Sequence, residues 1–218
     1  MVEAPTKTSL AADRGLRGVI FDFGGVLIDM RWDVSAGLEE AHGLPRLALL
    51  ETLYRTPTWL EIERGQGDLH AWRTEAHRLL EERAGRSLPQ LHDAWLASRH
   101  LIRTNVSLAQ RLRPTYRTAI LSNADASLRG RLRDGLGIHD HFDEVICSAE
   151  VGLAKPDPAI YRLAAERLDL APAACVFVDD HEPNVQAARE VGMAAVLFRI
   201  DRGHDLAGLL AELGVRPR

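Results

Sequence analysis

The residues that could do chemistry in this chain fall into three groups, each set directly behind a short apolar run. Asp22 follows Val19-Ile20-Phe21 and leads into the glycine pair Gly24-Gly25. Ser122 and Asn123 follow Ala119-Ile120-Leu121, and Asp179-Asp180 follow Val176-Phe177-Val178. An apolar run of this length reads as a buried strand. A polar residue at its end, backed by a permissive turn, is how an open α/β sheet delivers reactive groups to the crevice outside its strand ends. In a parallel sheet the three ends share one edge, so residues 100 and 157 positions beyond Asp22 converge on it.

The charges of this set suggest its task. Asp22, Asp179 and Asp180 would repel one another in a shared crevice and resist desolvation unless a cation joined them. A site of hard oxygen donors selects magnesium, which keeps some of its waters and binds substrate phosphate. Lys155, in the segment Gly152-Leu-Ala-Lys155-Pro-Asp157, is the natural opposite charge. Ser122 and the backbone N–H groups of Asn123 and Ala124 stand where a strand passes into a helix, a place suited to phosphoryl oxygens. Taken together, these residues predict phosphoryl-transfer chemistry on a small phosphorylated metabolite.

The elements that must hold these groups can be read along the chain. Residues 1–17 carry no apolar periodicity and read as a disordered tail without a signal sequence. Strands are expected at Gly18–Phe23, Thr118–Leu121, Phe142–Cys147, Ala174–Val178 and Ala194–Phe198. Helices are expected at Pro158–Leu168, Pro183–Val191 and Asp205–Leu213, and Asp125 or Ser127 caps one that runs toward Gly135 and Gly137. This alternation implies parallel connections and a layered α/β core. Between the first two strands, apolar positions such as Leu69, Trp72, Ala76, Leu79 and Leu80 recur at helical spacing, with Asp68 as a cap. The domain reading is therefore a core of residues 18–30 and 111–218 with a helical insert at 31–110. A long helix, Leu96–Arg113, brings the chain back to the core.

The totals narrow the function classes. The 218 residues carry a formal charge of −4, with 46% apolar and 27% charged residues, as in an ordinary globular protein. There is no basic stripe to support a nucleic-acid partner and no apolar stretch of membrane-spanning length. Arg129 and Arg133 read as a solvated helix face, and the nine histidines show no zinc-ligand spacing. Cys147 and Cys175 lie in apolar runs and read as core residues of a reduced, cytoplasmic protein, a monomer or a homodimer.

With these residues in place, the chain resembles the haloacid dehalogenase-like hydrolase superfamily from Gly18 to Gly203. FDFGGVL resembles its first motif, ILSN its second, GLAKPDP its third and FVDDHEPNVQAAREVGM its fourth. The insert resembles the cap of the subgroup that includes many sugar-phosphate phosphatases. The resemblance implies a Rossmann-like three-layer sandwich with a mostly parallel sheet and an inserted helical cap. It also implies a Mg2+-dependent phosphomonoester hydrolase in which Asp22 attacks phosphorus to form an aspartyl-phosphate. Mg2+ would bind Asp22, the carbonyl of Gly24 and Asp180, with Asp179 acting through water. Ser122, Asn123 and Lys155 would hold the transferring oxygens, and Asn184 would fix the fourth loop through Lys155 or Asp180. Arg31, Trp32 and Arg64 are the cap residues expected to face substrate.

One position departs from the family pattern. Gly24 stands two residues after Asp22, where such phosphatases carry an aspartate that protonates the leaving oxygen and then activates water. Help of that kind is worth roughly 100-fold to 10,000-fold in rate. Asp29, Asp33 and His77 are the candidates to replace it, although Asp29 also reads as a helix cap. Two alternatives follow from the substitution: a catalytically weak metabolite-binding or regulatory protein with this fold, or a 2-haloacid dehalogenase-like hydrolase. The adjacent Asp179-Asp180 pair argues for phosphate over halide.

Overall fold

The computed structural model describes residues 15–217, so most of the tail expected at 1–17 lies outside the described residues. Five strands form one sheet: β1 (Gly18–Phe21), β4 (Arg117–Ser122), β5 (Glu144–Cys147), β6 (Cys175–Asp179) and β7 (Ala194–Leu197). Their order is β5-β4-β1-β6-β7, and every pairing is parallel. Two short strands, β2 (Ile28–Asp29) and β3 (His100–Leu101), pair antiparallel with each other, one at each crossing between core and insert.

The sheet is buried on both sides, and the period of two along each strand assigns every residue to a layer. Val19 and Phe21 of β1, Ile120 of β4 and Val176 and Val178 of β6 pack on one face with helix α6 (Arg103–Leu112) and Leu206 and Leu210 of the last helix. Ile20, Ala119, Leu121, Cys175 and Phe177 point the other way, against two helices, Pro158–Arg167 and Glu182–Glu190. This is the three-layer α/β sandwich expected from the sequence.

The insert has its own apolar cluster. It is built from α1 (Trp32–Ala41), α2 (Ala48–Tyr54), α3 (Pro57–Ile62), α4 (Leu69–Ala84) and α5 (Leu91–Ser98). Leu49, Leu53, Trp59, Trp72, Leu80 and Trp95 make its interior. Asp68 caps α4 as expected, its side chain accepting from the amide of Ala71. The single helix expected at Leu96–Arg113 is instead two. Arg99 adopts extended backbone (φ −68°, ψ 145°), and β3 lies between α5 and α6. The amide of Ile102 donates to the carbonyl of Leu27, tying this break to the chain leaving β1.

Both cysteines are buried and free. Among the described residues no helix is long and apolar enough to cross a membrane.

Candidate active site

The central position of β1 sets the geometry of the site. Phe21 is paired with Ile120 on one side and Val178 on the other, so the next residue, Asp22, emerges level with Leu121 and Asp179. Its amide still donates to the carbonyl of Val178 before the chain turns away. Ser122 ends β4 and Asp179 ends β6, so the three sequence groups meet at one sheet edge.

The acids do converge. Asp22, Asp179 and Asp180 each bring a carboxylate oxygen within 4.8 Å of the others. The turn permits this approach because residue 25 is glycine. Gly25 has φ +74°, and a Cβ there would lie 2.0 Å from Oδ2 of Asp180.

Lys155 supplies the compensating charge. Its Nζ donates to Oδ2 of Asp179 at 2.6 Å and stands 2.9 Å from Oδ1 of Asp22, with both Lys155 and Asp179 buried. Burial alone would lower the lysine's pKa, but the two carboxylates outweigh it and hold the ammonium above its ordinary range. Asp179 is then saturated: Nδ2 of Asn184 reaches both its oxygens, and the amide of His181 donates to Oδ1. Asn184 thus fixes the fourth loop through Asp179 rather than through Lys155 or Asp180. Its own carbonyl accepts from the Tyr161 hydroxyl.

Asp22, which is buried, and Asp180, which is partly exposed, are the other two acids. Burial, opposed by Lys155, pushes the Asp22 carboxyl well above its usual range. Burial and the Asp179 charge push Asp180 up to about 7. Three acids share the single ammonium of Lys155, and an all-oxygen donor set with this excess of negative charge fits a hard divalent cation.

Asn123, expected to bind phosphate, is tied to Lys155. Asn123 accepts from the Lys155 amide through Oδ1 at 2.8 Å and donates to the Lys155 carbonyl through Nδ2 at 2.9 Å. The Ala124 amide, expected to face phosphate, donates instead to the Ser148 hydroxyl.

The cap meets the core at a contact absent from the sequence reading. Glu63, which caps the C-terminal end of α3, accepts from Nδ2 of Asn123 at 3.1 Å and is 5% exposed in total. Two residues on, Gly65 presses against the core so closely that a Cβ there would lie 2.2 Å from the Ala149 carbonyl oxygen. Nothing in the sequence marks Glu63, because its partner lies 60 positions away. Of the three cap residues expected near substrate, Arg64 turns back to the Leu60 carbonyl and Glu63, and Arg31 pairs with Asp33. Trp32 packs on Trp95 with ring centroids 5.4 Å apart.

The comparisons with known proteins bear on this arrangement. The haloacid dehalogenase-like hydrolase family matches residues 16–192. The chain belongs to this family.

The proteins it is similar to are varied. It is 30% identical over 216 residues to bifunctional epoxide hydrolase 2 of Rattus norvegicus, covering 91% of this chain and 38% of that protein. The chain therefore spans well under half the length of the mammalian relatives it matches. It is 24% identical over 205 residues to the D-ribitol-5-phosphate phosphatase of Bacteroides thetaiotaomicron, covering 87% of this chain and 94% of that one. A solved haloacid dehalogenase-like enzyme from the same organism, in complex with magnesium and inorganic phosphate, shares the fold with a TM-score of 0.63. It is 23% identical and covers 89% of this chain and 98% of that one.

Membership does not carry the full hydrolytic mechanism. The expectation of a Mg2+-dependent phosphomonoester hydrolase working through an aspartyl-phosphate on Asp22 is overturned at Gly24. A Cβ built there meets a single heavy atom within 4 Å, the Sδ of Met30 at 3.5 Å, and no acid. The three candidate replacements are engaged elsewhere. Asp29 accepts from the Arg31 amide, exposed Asp33 pairs with Arg31, and His77 pairs with Glu81 on α4. The cluster is that of a haloacid dehalogenase-like hydrolase whose first motif lacks its proton-transfer group.

Proposed function

We propose that this protein binds Mg2+ and a small phosphorylated metabolite at the edge formed by β1, β4 and β6, and turns that ligand over weakly, acting chiefly by binding. The observation that carries this reading is Gly24: the acids and one ammonium are assembled, but the acid–base side chain expected two residues after Asp22 is missing. Asp22, Asp180 and the carbonyl of Gly24 would hold the cation, with Asp179 behind them. When bound, Mg2+ would neutralise the carboxylates and offer charge to phosphoryl oxygens. Lys155 and Ser122 would orient the phosphoryl group, and Asn123 would keep Lys155 in place.

Two features support binding over efficient turnover. A leaving alkoxide needs a proton, and no group beside residue 24 can give one. The cap loop meets the core at Asn123 and Ala149 through Glu63 and Gly65, and would retain a ligand held beside Asn123. The test is calorimetric titration of inorganic phosphate in the presence and absence of Mg2+, paired with turnover of alkyl phosphates. Mg2+-dependent phosphate binding with slow turnover is expected. Turnover at the ordinary enzyme rate of about 10 per second would contradict it.

A further inference from the structure

Arg99 is the cap residue whose surroundings are least complete. It lies one helical turn beyond Trp95, and its guanidinium stacks 4.6 Å from the centroid of that indole and 5.6 Å from the ring of Tyr54. Nη1 donates to the Tyr54 hydroxyl at 3.0 Å, but Nε and Nη2 are buried and have no partner. Those two nitrogens form one edge of the guanidinium, the edge that binds a carboxylate or phosphoryl group with two parallel hydrogen bonds. Unpaired buried donors of this kind are rare in folded proteins and cost stability.

The charge balance around it points the same way. Among the described residues Arg99 has no carboxylate partner. Arg73, close by, also leaves its buried Nη1 unpaired, and its one acidic partner, Asp93, is 61% exposed. Two half-buried guanidiniums therefore share an aromatic lining with a single, outward-facing acid.

A chain of contacts links Arg99 to the turn after β1. The Trp95 indole N–H donates to the Met30 carbonyl at 2.7 Å, and Met30 Sδ is the atom that faces the missing side chain of Gly24. Arg99, Trp95, Met30 and residue 24 thus lie along one run of contacts.

We propose that the Nε/Nη2 edge of Arg99 binds a second oxyanion on the ligand, so that the metabolite carries a carboxylate or a further phosphoryl group besides the phosphoryl held at Lys155. This assignment rests on the phosphate-binding reading above and names the ligand class for it. The paired hydrogen bonds would favour such ligands by about tenfold or more over neutral-tailed ones.

The test is calorimetric titration of the full chain with Mg2+, using inorganic phosphate, glycerol 3-phosphate, 3-phosphoglycerate and propane-1,3-diol bisphosphate. The wild-type protein is expected to bind one or both anionic-tailed probes at least tenfold tighter than glycerol 3-phosphate, and the stronger of the two identifies the tail as carboxylate or phosphoryl. Arg99→Gln should abolish the preference and Arg99→Lys should reduce it, with inorganic phosphate binding equally well to all three proteins. Equal wild-type affinity for charged and neutral tails, with phosphate still bound, would overturn the Arg99 assignment alone and needs no variant. Persistence of the preference in Arg99→Gln would overturn it as well, whereas failure of phosphate to bind the wild-type protein would overturn both readings.

Discussion

Lys155 and Asp179 form a buried ion pair, Nζ to Oδ2 2.6 Å, with the lysine side chain 2% and the aspartate side chain 0% exposed. The same ammonium stands 2.9 Å from Asp22, so one positive charge holds two of the three clustered acids together. Pairs of this kind are costly to break, because the partner left behind stays buried and charged.

Lys155→Met is therefore expected to lose about 3–5 kcal/mol of stability in the absence of metal. Chemical denaturation with and without Mg2+ measures it, and added Mg2+ should recover part of the loss by supplying positive charge to the acids. An unchanged midpoint would show that the acids do not depend on this lysine.

Gly25→Ala tests whether Asp180 must approach the turn. The new Cβ would overlap Oδ2 of Asp180, and φ +74° adds about 1 kcal/mol of backbone strain. Mg2+ affinity by calorimetry should fall about 10- to 100-fold, with the far-ultraviolet spectrum unchanged. Retained affinity would place the cation away from Asp180.

The seating of the cap loop is testable at Gly65. An alanine there would overlap the Ala149 carbonyl at φ +78°, so the loop must lift and the Glu63 contact with Asn123 must break. Hydrogen exchange of amides at 63–67 should accelerate about tenfold or more, consistent with a penalty of about 1–2 kcal/mol. Unchanged exchange would mean that the loop is not held by this contact.

The cap also carries a pH response. Burial, with the Arg73 and His77 charges adding to it, pushes His92 down to about 4, and its Nε2 lies 2.9 Å from the Thr52 hydroxyl. An unfolded histidine titrates near 6.5, so as pH falls the unfolded chain takes up this proton first. Stability is full above about pH 6.5 and declines by about 3 kcal/mol on the way to about pH 4. Urea denaturation of the wild-type protein and His92→Gln at pH 7.5 and 4.5 should show a smaller acid loss in the variant. Equal losses would remove His92 as the cause.

The sheet and its reactive edge were legible because they follow from local pattern. Asp22, Ser122 and Asp179 each end an apolar run, and parallel pairing alone brings such ends together. The break at Arg99 was not legible, because residues 96–113 keep helical spacing and only the pairing of His100–Leu101 with Ile28–Asp29 reveals it. Glu63 and the Ala124 amide were missed or misassigned for a related reason. Their partners, Asn123 and Ser148, lie 60 and 24 positions away, the first chosen by how cap and core pack and the second by the pairing of β4 with β5. Gly24 stood out in the sequence, but the fate of Asp29, Asp33 and His77 needed the hydrogen bonds that occupy them.

The most direct measurement is the effect of Gly24→Asp on Mg2+-dependent turnover of an alkyl phosphate. Residue 24 does not have a positive φ, and the new Cβ would make only an ordinary contact with Met30 Sδ at 3.5 Å, so the backbone accepts a side chain there. Restoring the proton-transfer group should raise kcat about 100-fold or more, while phosphate affinity stays within a few-fold. A wild-type protein that already turns over as fast as the variant would contradict the account.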